Sequence, residues 1–347
     1  MKLQSSQTIR STIAVLLLPL FLCSAYAVQD KTADAKATRT PEQIEADNLN
    51  GQVIQLFKEK KFKEAMAPAK RCVELREKSL GAEHESTAVA LNNLASVYSE
   101  LDKHGDAAET RERLLKVQEK LYGPSSAKLC DNLSKLGWER ALNGNNKESE
   151  EAFKRNLQIR ETAYGTEGKE LLPALNDLAM STQRAGKYVP SIGYFDRMIA
   201  VNEKLLGKNH TDVAELLAKT AIILRQANKK AEAEDYETRA RAIYTAQPTD
   251  NRKPPEMSGG VLQGLAIFRP QPGYPNSAKQ GRIQGAVQVH VYIDEIGIVT
   301  EAKAISGPAE LRKVSEEAAK QWRFKPTILG GRVLKVHGVL TFNFTLQ

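Results

Sequence analysis

Four glycines set the frame of this chain: Gly81, Gly123, Gly165 and Gly207 stand 42 residues apart. On the same spacing, Leu49, Leu91, Leu133, Leu175 and Leu217 share one phase. Ala46, Ala88, Cys130, Leu172 and Ala214 share a second, and Val53, Ala95, Gly137, Ala179 and Ala221 a third. Steps of three and four residues separate these phases, which places them in one apolar stripe on a helix. A second helix follows in each unit. Ala65, Ala107, Ser149, Ser191 and Ala233 hold its small position, and Leu75, Val117, Ile159, Val201 and Ile243 a large one. The glycines stand where that second helix must stop. A hairpin with such a stripe cannot bury it alone, so five units must stack. Pro68 falls inside the second helix of the first unit and predicts a kink there.

The frame also accounts for the reactive side chains. Cys72 shares its phase with Leu114, Met198 and Ala240, and Cys130 with alanines and leucine. Both read as buried core thiols in units that are not adjacent, which argues against a disulfide. His84 and His210 lie three periods apart at helix starts, which reads as a repeat position and not as a metal ligand pair. No other His, Cys or carboxylate cluster has ligand spacing, so neither metal nor cofactor is expected. Nucleophile–base pairs, paired carboxylates and phosphate loops are also missing from the pattern; no catalytic residue is assigned and an enzyme is not expected.

The chain opens with Lys2 and Arg10 before an uncharged stretch, STIAVLLLPLFLCSAYA, ending in Ala25-Tyr26-Ala27. That is the form of a bacterial export signal cut after Ala27. Retention of residues 1–27 as an inner-membrane anchor is the other reading, although Pro19 interrupts a stretch at the short limit for spanning. Both place the rest in the periplasm. Residues 28–41 read as a flexible linker. The formal charge of +8 is concentrated after Lys253, with 12 Lys and Arg against 7 Asp and Glu, a surplus of five without a basic run. It does not indicate nucleic acid, and no small-molecule substrate is indicated either.

Composition shifts at AQPTDNRKPPEMSGG, and residues 247–260 read as a Pro/Gly linker. Beyond it Val287, Val289, Val291 and Ile293 alternate with polar residues, Asp294 to Gly297 make a turn, and Ile298 to Ile305 return. Leu311, Val314, Ala318 and Trp322 share a helix face. The close of the chain alternates strictly: Leu334, Val336, Gly338, Leu340, Phe342, Phe344 and Leu346 on one face, Lys335, His337, Val339, Thr341, Asn343 and Thr345 on the other. The expected fold is multidomain: an all-α solenoid over residues 42–246, then a small α+β (β-β-α-β) domain over 261–347.

The repeat unit resembles tetratricopeptide repeats of the 42-residue kind found in kinesin light chains. Leu80-Gly81 with His84, Leu91 to Ala95, and Gly186-Lys187-Tyr188 carry the resemblance. It implies a groove for extended peptides or helices, with Asn92, Asn93, Asn176 and Asp177 as candidate clamps on a peptide backbone.

The last segment resembles the C-terminal domain of TonB, the periplasmic energy transducer of Gram-negative bacteria. Gln271-Pro272-Gly273-Tyr274-Pro275, Ala278, Gly285, the valine alternation through Asp294 and Gly297, and Trp322-Arg323-Phe324-Lys325-Pro326 carry it. The resemblance implies that the last long strand is an edge taking a short partner peptide, the TonB box of outer-membrane receptors, as an added strand. Gln271, Tyr274, Pro275, Lys335, His337, Val339 and Thr341 are the candidate contacts. It also implies an ExbB–ExbD motor as a partner. The sequence departs from the family in having no histidine between residues 11 and 27, and in having repeats where a long Pro-rich linker is expected. Two functional readings therefore stay open: TonB-dependent transmembrane transport, and a soluble periplasmic protein–protein interaction scaffold without an energy-transducing role.

Overall fold

The computed structural model describes residues 39–246, 256–257, 259–329 and 332–346. The expected export segment, residues 1–27, lies outside the described residues, as do 28–38 and the prolines of 247–255. From Pro41 onward the chain packs as one compact unit.

Ten helices come first, in five hairpins. They are α1 (Pro41–Lys58) with α2 (Phe62–Leu80), α3 (Glu85–Glu100) with α4 (His104–Tyr122), and α5 (Cys130–Leu142) with α6 (Asn146–Tyr164). Then follow α7 (Leu172–Arg184) with α8 (Tyr188–Leu206) and α9 (Thr211–Gln226) with α10 (Lys230–Thr245). The stripe read from the sequence is the core: Leu91, Leu133, Leu175 and Leu217 are buried, as are the five small residues Ala65, Ala107, Ser149, Ser191 and Ala233. Cys72 and Cys130 are both buried and free, and burial pushes both thiols above their ordinary values, which keeps them protonated and unreactive.

Each of the first four hairpins stops at its ruler glycine, with φ of 93° at Gly81, 87° at Gly123, 78° at Gly165 and 90° at Gly207. Only glycine adopts this region without a Cβ penalty. His84 and His210 are N-caps: each ring Nδ1 accepts the backbone N–H two residues on, from Ser86 at 3.1 Å and Asp212 at 3.2 Å. Capping explains their three-period spacing. A second ruler lies in the turn inside each hairpin, where Lys60, Asp102, Gly144, Gly186 and Asn228 all have positive φ. Pro68 sits within α2, which runs on through it to Leu80.

Side chains join neighbouring units at fixed offsets. Arg113–Glu77, Arg155–Glu119, Arg197–Glu161 and Arg239–Glu203 repeat one ion pair from second helix to second helix. These pairs are solvent-exposed and each is weak; the buried stripe does most of the holding.

The C-terminal part adds β1 (Glu256–Met257), α11 (Gly259–Leu265), β2 (Ala266–Phe268) and α12 (Asn276–Gln280). It continues with β3 (Gly285–Ile293), β4 (Val299–Ser306), α13 (Ala309–Gln321), β5 (Arg323–Phe324), β6 (Thr327–Leu329), β7 (Arg332–Leu334) and β8 (Val336–Phe344). Within the stretch read as linker, Glu256–Met257 form β1 and Gly259 begins α11. The main sheet has the order β1-β8-β3-β4, with β8 antiparallel to β3 (Val289 opposite Leu340) and β4 antiparallel to β3. Helix α13 covers one face, where Leu311, Ala318, Ala319 and Trp322 pack on Val287, Val289, Val291, Leu340 and Phe342. The expected alternation of β8 holds along its length, with Val336, Gly338, Leu340, Phe342 and Phe344 inward.

Gly137 is the least tolerant point of the repeat core. A Cβ built there would lie 2.4 Å from the Phe153 ring, which occupies the space that alanine or valine fills in the other units. Gly137→Ala should therefore lose about 1–3 kcal/mol by overpacking, although alanine is the better helix former. Urea unfolding of the two proteins measures it, and a more stable variant would contradict the packing account.

Candidate functional site

The sheet's turn is seated on the last repeat. Ile296, at the tip of the β3–β4 turn, is 3% exposed and belongs to the core formed by α6–α10, with Ile298 beside it. Asp294 shapes that turn: its Oδ1 accepts the N–H groups of Ile296 (3.1 Å) and Ile298 (2.8 Å), and its Oδ2 accepts from Arg241 of α10 at 2.7 Å. Gly297 is required there, since a Cβ would lie 1.9 Å from the Phe324 carbonyl oxygen. Next to the turn Glu237 of α10 takes two hydrogen bonds from Arg225 (2.8 and 2.7 Å) and two longer ones from Arg323 (both 3.4 Å). Glu237 and Arg323 are each only 8% exposed. Burial alone would raise the Glu237 carboxyl, but the Arg225 hydrogen bonds and both guanidinium charges outweigh it and hold the carboxyl below the usual range. Burial lowers Arg323, whose ordinary value is far enough above neutrality that it stays charged.

The Trp322–Pro326 motif explains how one short stretch serves both bodies. Trp322 donates from Nε1 to the Pro270 carbonyl at 3.0 Å and meets Phe342 edge to face at 5.6 Å. Arg323 turns the other way, to Glu237. The Phe324 N–H bonds the Gly297 carbonyl at 2.8 Å, and the Lys325 N–H that of Leu265 at 3.0 Å.

The candidate contacts divide between two faces of the sheet. Tyr274 lies on the covered side, its ring 5.4 Å from Phe344 and its hydroxyl donating to the Ile283 carbonyl. Pro275 is the N-cap of α12, and Gln271 is exposed on the segment that Trp322 holds. On the open face are Lys335, which pairs with Glu295 at 3.5 Å, and His337, Val339 and Thr341. His337 Nδ1 meets His290 Nε2 at 3.1 Å and stacks on Tyr292 at 5.3 Å. The structure thus brings Lys335, His337, Val339 and Thr341 together, and keeps Tyr274 and Pro275 from them.

The edge of β8 departs from expectation. It is not wholly free: Glu256 and Met257 pair with it in parallel, opposite His337 and Gly338. The rest of that edge, from Val339 to Phe344, pairs with no further strand among the described residues. An open edge presents N–H and C=O groups that bind whatever strand is near, and here the chain's own segment supplies it.

In the repeats, two of the four candidate clamps bond to neighbouring repeat helices. Asn93 donates to Asn50 of α1 at 2.8 Å. Asp177 is buried and accepts from Ser134 and from Trp138 Nε1 at 2.9 Å; burial raises its carboxyl against these two bonds. Asn92 is half-buried and Asn176 exposed. Sequence reasoning did not find the interface groups Arg225, Glu237, Arg241, Asp294 and Arg323. Arg323 lay in a recognised motif, yet nothing in the sequence couples it to a residue 86 positions earlier.

Comparison with known proteins agrees with this architecture. Residues 270–346 match the family described as Gram-negative bacterial TonB protein C-terminal. Residues 45–120 and 170–246 match the tetratricopeptide repeat family. A TonB protein of Vibrio cholerae is 34% identical over 96 residues, 27% of this chain and 36% of that relative, so the chain spans about a third of its length. Solved structures of TPR-like repeats assigned to a kinesin light chain of Podosopora anserina are similar to the helical part. One has a TM-score of 0.51 at 19% identity, covering 61% of this chain and all of that one. A single-substitution form of the same repeats has a TM-score of 0.49 at 18% identity, covering 58% and 94%. At such identities the likeness concerns the fold alone. The helical repeats are thus of tetratricopeptide type, and the segment that completes them matches the TonB C-terminal family.

Truncating Glu237 to alanine should cost about 3–5 kcal/mol, because buried Arg323 and half-buried Arg225 lose their shared counter-charge. Pairing Glu237→Leu with Arg323→Met should recover part of that loss. In the wild-type protein the carboxyl contributes stability above its ordinary value of about 4.3, and loses it as the pH falls through the lower folded value. Urea midpoints from pH 7 to pH 3 read this; an unchanged acid dependence in Glu237→Gln would contradict it.

Proposed function

We propose that this chain is a periplasmic interaction protein whose TonB-like domain binds a partner segment by adding it as a strand to β8, while the repeats hold a second protein. The parallel pairing of Glu256 and Met257 with His337 and Gly338 carries this reading. It supports β8 as an acceptor of extended backbone, with backbone bonds giving affinity and Lys335, His337, Val339 and Thr341 giving selectivity. Gln271, Tyr274 and Pro275 act by shaping the segment beside the sheet, and Asn92 and Asn176 are the groove residues still presented to a repeat ligand. The segment that the resemblance implies is the TonB box of an outer-membrane receptor. Export by residues 1–27 would deliver the chain to that compartment. Among the described residues no helix is long and apolar enough to cross a membrane.

TonB-type transport driven through ExbB and ExbD is the second reading. One observation favours it: the domain is not tethered loosely but packed on α10 through Ile296 and the Glu237 cluster, which suits an arm that carries load.

Titrating a receptor TonB-box peptide into the full chain should shift the backbone amides of His337 to Thr341 and speed hydrogen exchange at Met257 as β1 is displaced. Unmoved amides at β8 would sink strand addition. The mass of the mature N-terminus, with membrane fractionation, separates the two readings. A chain starting at Val28 and free in the periplasm supports the scaffold, and one retaining residues 1–27 in the inner membrane supports transport.

A further inference from the structure

Each pair of neighbouring repeats forms a groove between its two second helices, floored by the first helix of the later unit. The 42-residue frame lets the four grooves be compared position by position. Between the second and third repeats, Arg140 of α5 lies partly buried and pairs with Glu112 of α4. Between the fourth and fifth, Tyr236 of α10 lies partly buried on the core, and its hydroxyl donates to Asp196 of α8 at 2.7 Å. Between the third and fourth, Tyr194 of α8 packs on the same core. Glu112, Lys154 and Asp196 are one phase, and Tyr194 and Tyr236 another.

The first groove, like the second with Ala152, has no tyrosine at this position. The position of Tyr194 and Tyr236 is Thr110, whose hydroxyl turns back to the Asp106 carbonyl of its own helix at 2.8 Å. The position of Asp196 is Lys70, which lies 5.7 Å from the centre of the Tyr98 ring on the floor. What results is a cavity of about 290 Å³ with Val73, Leu94, Tyr98 and Thr110 buried beneath it. That volume is near the lower limit of small-ligand pockets. The rim is acidic: Glu74, Glu77, Asp106 and Glu109 against Lys70 and Arg113. Arg113 is already paired with Glu77, and Glu109 makes no ion pair among the described residues.

We propose that this groove binds a partner peptide by one aromatic side chain, preferably tyrosine, flanked by basic residues. The last groove shows the geometry: the chain seats its own Tyr236 in the equivalent space, with the hydroxyl directed to Asp196 at the Lys70 position. An aromatic ring offers large apolar contact with Val73, Leu94 and Tyr98 at small entropic cost. Its hydroxyl accepts a hydrogen bond from the Lys70 ammonium. Flanking lysines meet Glu74 and Glu109. This surface lies on α2 and α4, apart from Asn92 on α3 and from the edge of β8.

The test uses the full chain and the probe N-acetyl-Lys-Tyr-Lys-amide, followed through the methyl signals of Val73 and Leu94. Those signals should move and saturate. Replacing the central tyrosine by alanine should abolish the effect, and glutamates in place of the lysines should weaken binding roughly tenfold, equivalent to about 1.4 kcal/mol. Thr110→Tyr should plug the groove from within, abolish binding and raise the melting temperature, while Thr110→Ala keeps binding. Glu109→Lys, at an exposed position, should weaken the lysine-flanked probe and improve the glutamate-flanked one, which keeps the test valid if Thr110→Tyr does not fold. Unmoved Val73 and Leu94 methyls would overturn the proposal. So would undiminished binding by a folded Thr110→Tyr, or indifference of Glu109→Lys to the flanking charge.

Discussion

An open stack of helical hairpins has two ends, and in this chain the end after α10 is covered by the turn of a β-sheet. Ile296 enters the apolar surface that a sixth hairpin would have buried, and Asp294 closes the turn so that Arg241 can reach it. The buried charges beside it set the angle of approach. Glu237 is held by Arg225 from its own repeat and by Arg323 from the sheet domain. Removing two or three charges from water is expensive unless they meet in good geometry, so this cluster tolerates few relative placements of the two bodies. It fixes orientation more than it adds net stability.

That docking changes what the C-terminal domain is. The Trp322–Pro326 motif belongs to both bodies. Trp322 and Phe324 enter the sheet's core while Arg323 crosses to the solenoid. The repeats and the sheet therefore behave as one body. The edge of β8, with β1 laid along its beginning, is presented at a fixed place on that body.

Much of this was legible in the sequence because its signals are periodic. The 42-residue ruler marks the helix ends, the core stripe and the two capping histidines, since each unit repeats the same packing problem. The turn inside each hairpin was less legible. Its left-handed residue is glycine only at Gly144 and Gly186, and Lys60, Asp102 and Asn228 take the same conformation without advertising it. The β8 alternation was legible for a similar reason: a strand with one covered face must alternate. Two of the candidate clamps make contacts that the sequence does not show. Asn93 and Asp177 carry the right chemistry for a ligand, but neighbouring repeats bring Asn50, Ser134 and Trp138 within reach. A polar side chain that finds a partner within its own fold is a tie between elements.

By itself the sequence determined the number of repeats, the faces that stack, the order of the β-β-α-β elements and which face of the last strand is covered. These follow from local periodicity and from residue types whose backbone or burial preferences act over a few positions. Tertiary structure alone decided that Arg323 meets Glu237, that Glu256 and Met257 lie along β8, and that Lys70, Leu94, Tyr98 and Thr110 line one cavity between the first two repeats. Those outcomes depend on which groups meet once distant segments are packed. Coulomb attraction, hydrogen bonding and excluded volume act through space, and no spacing along the chain encodes them.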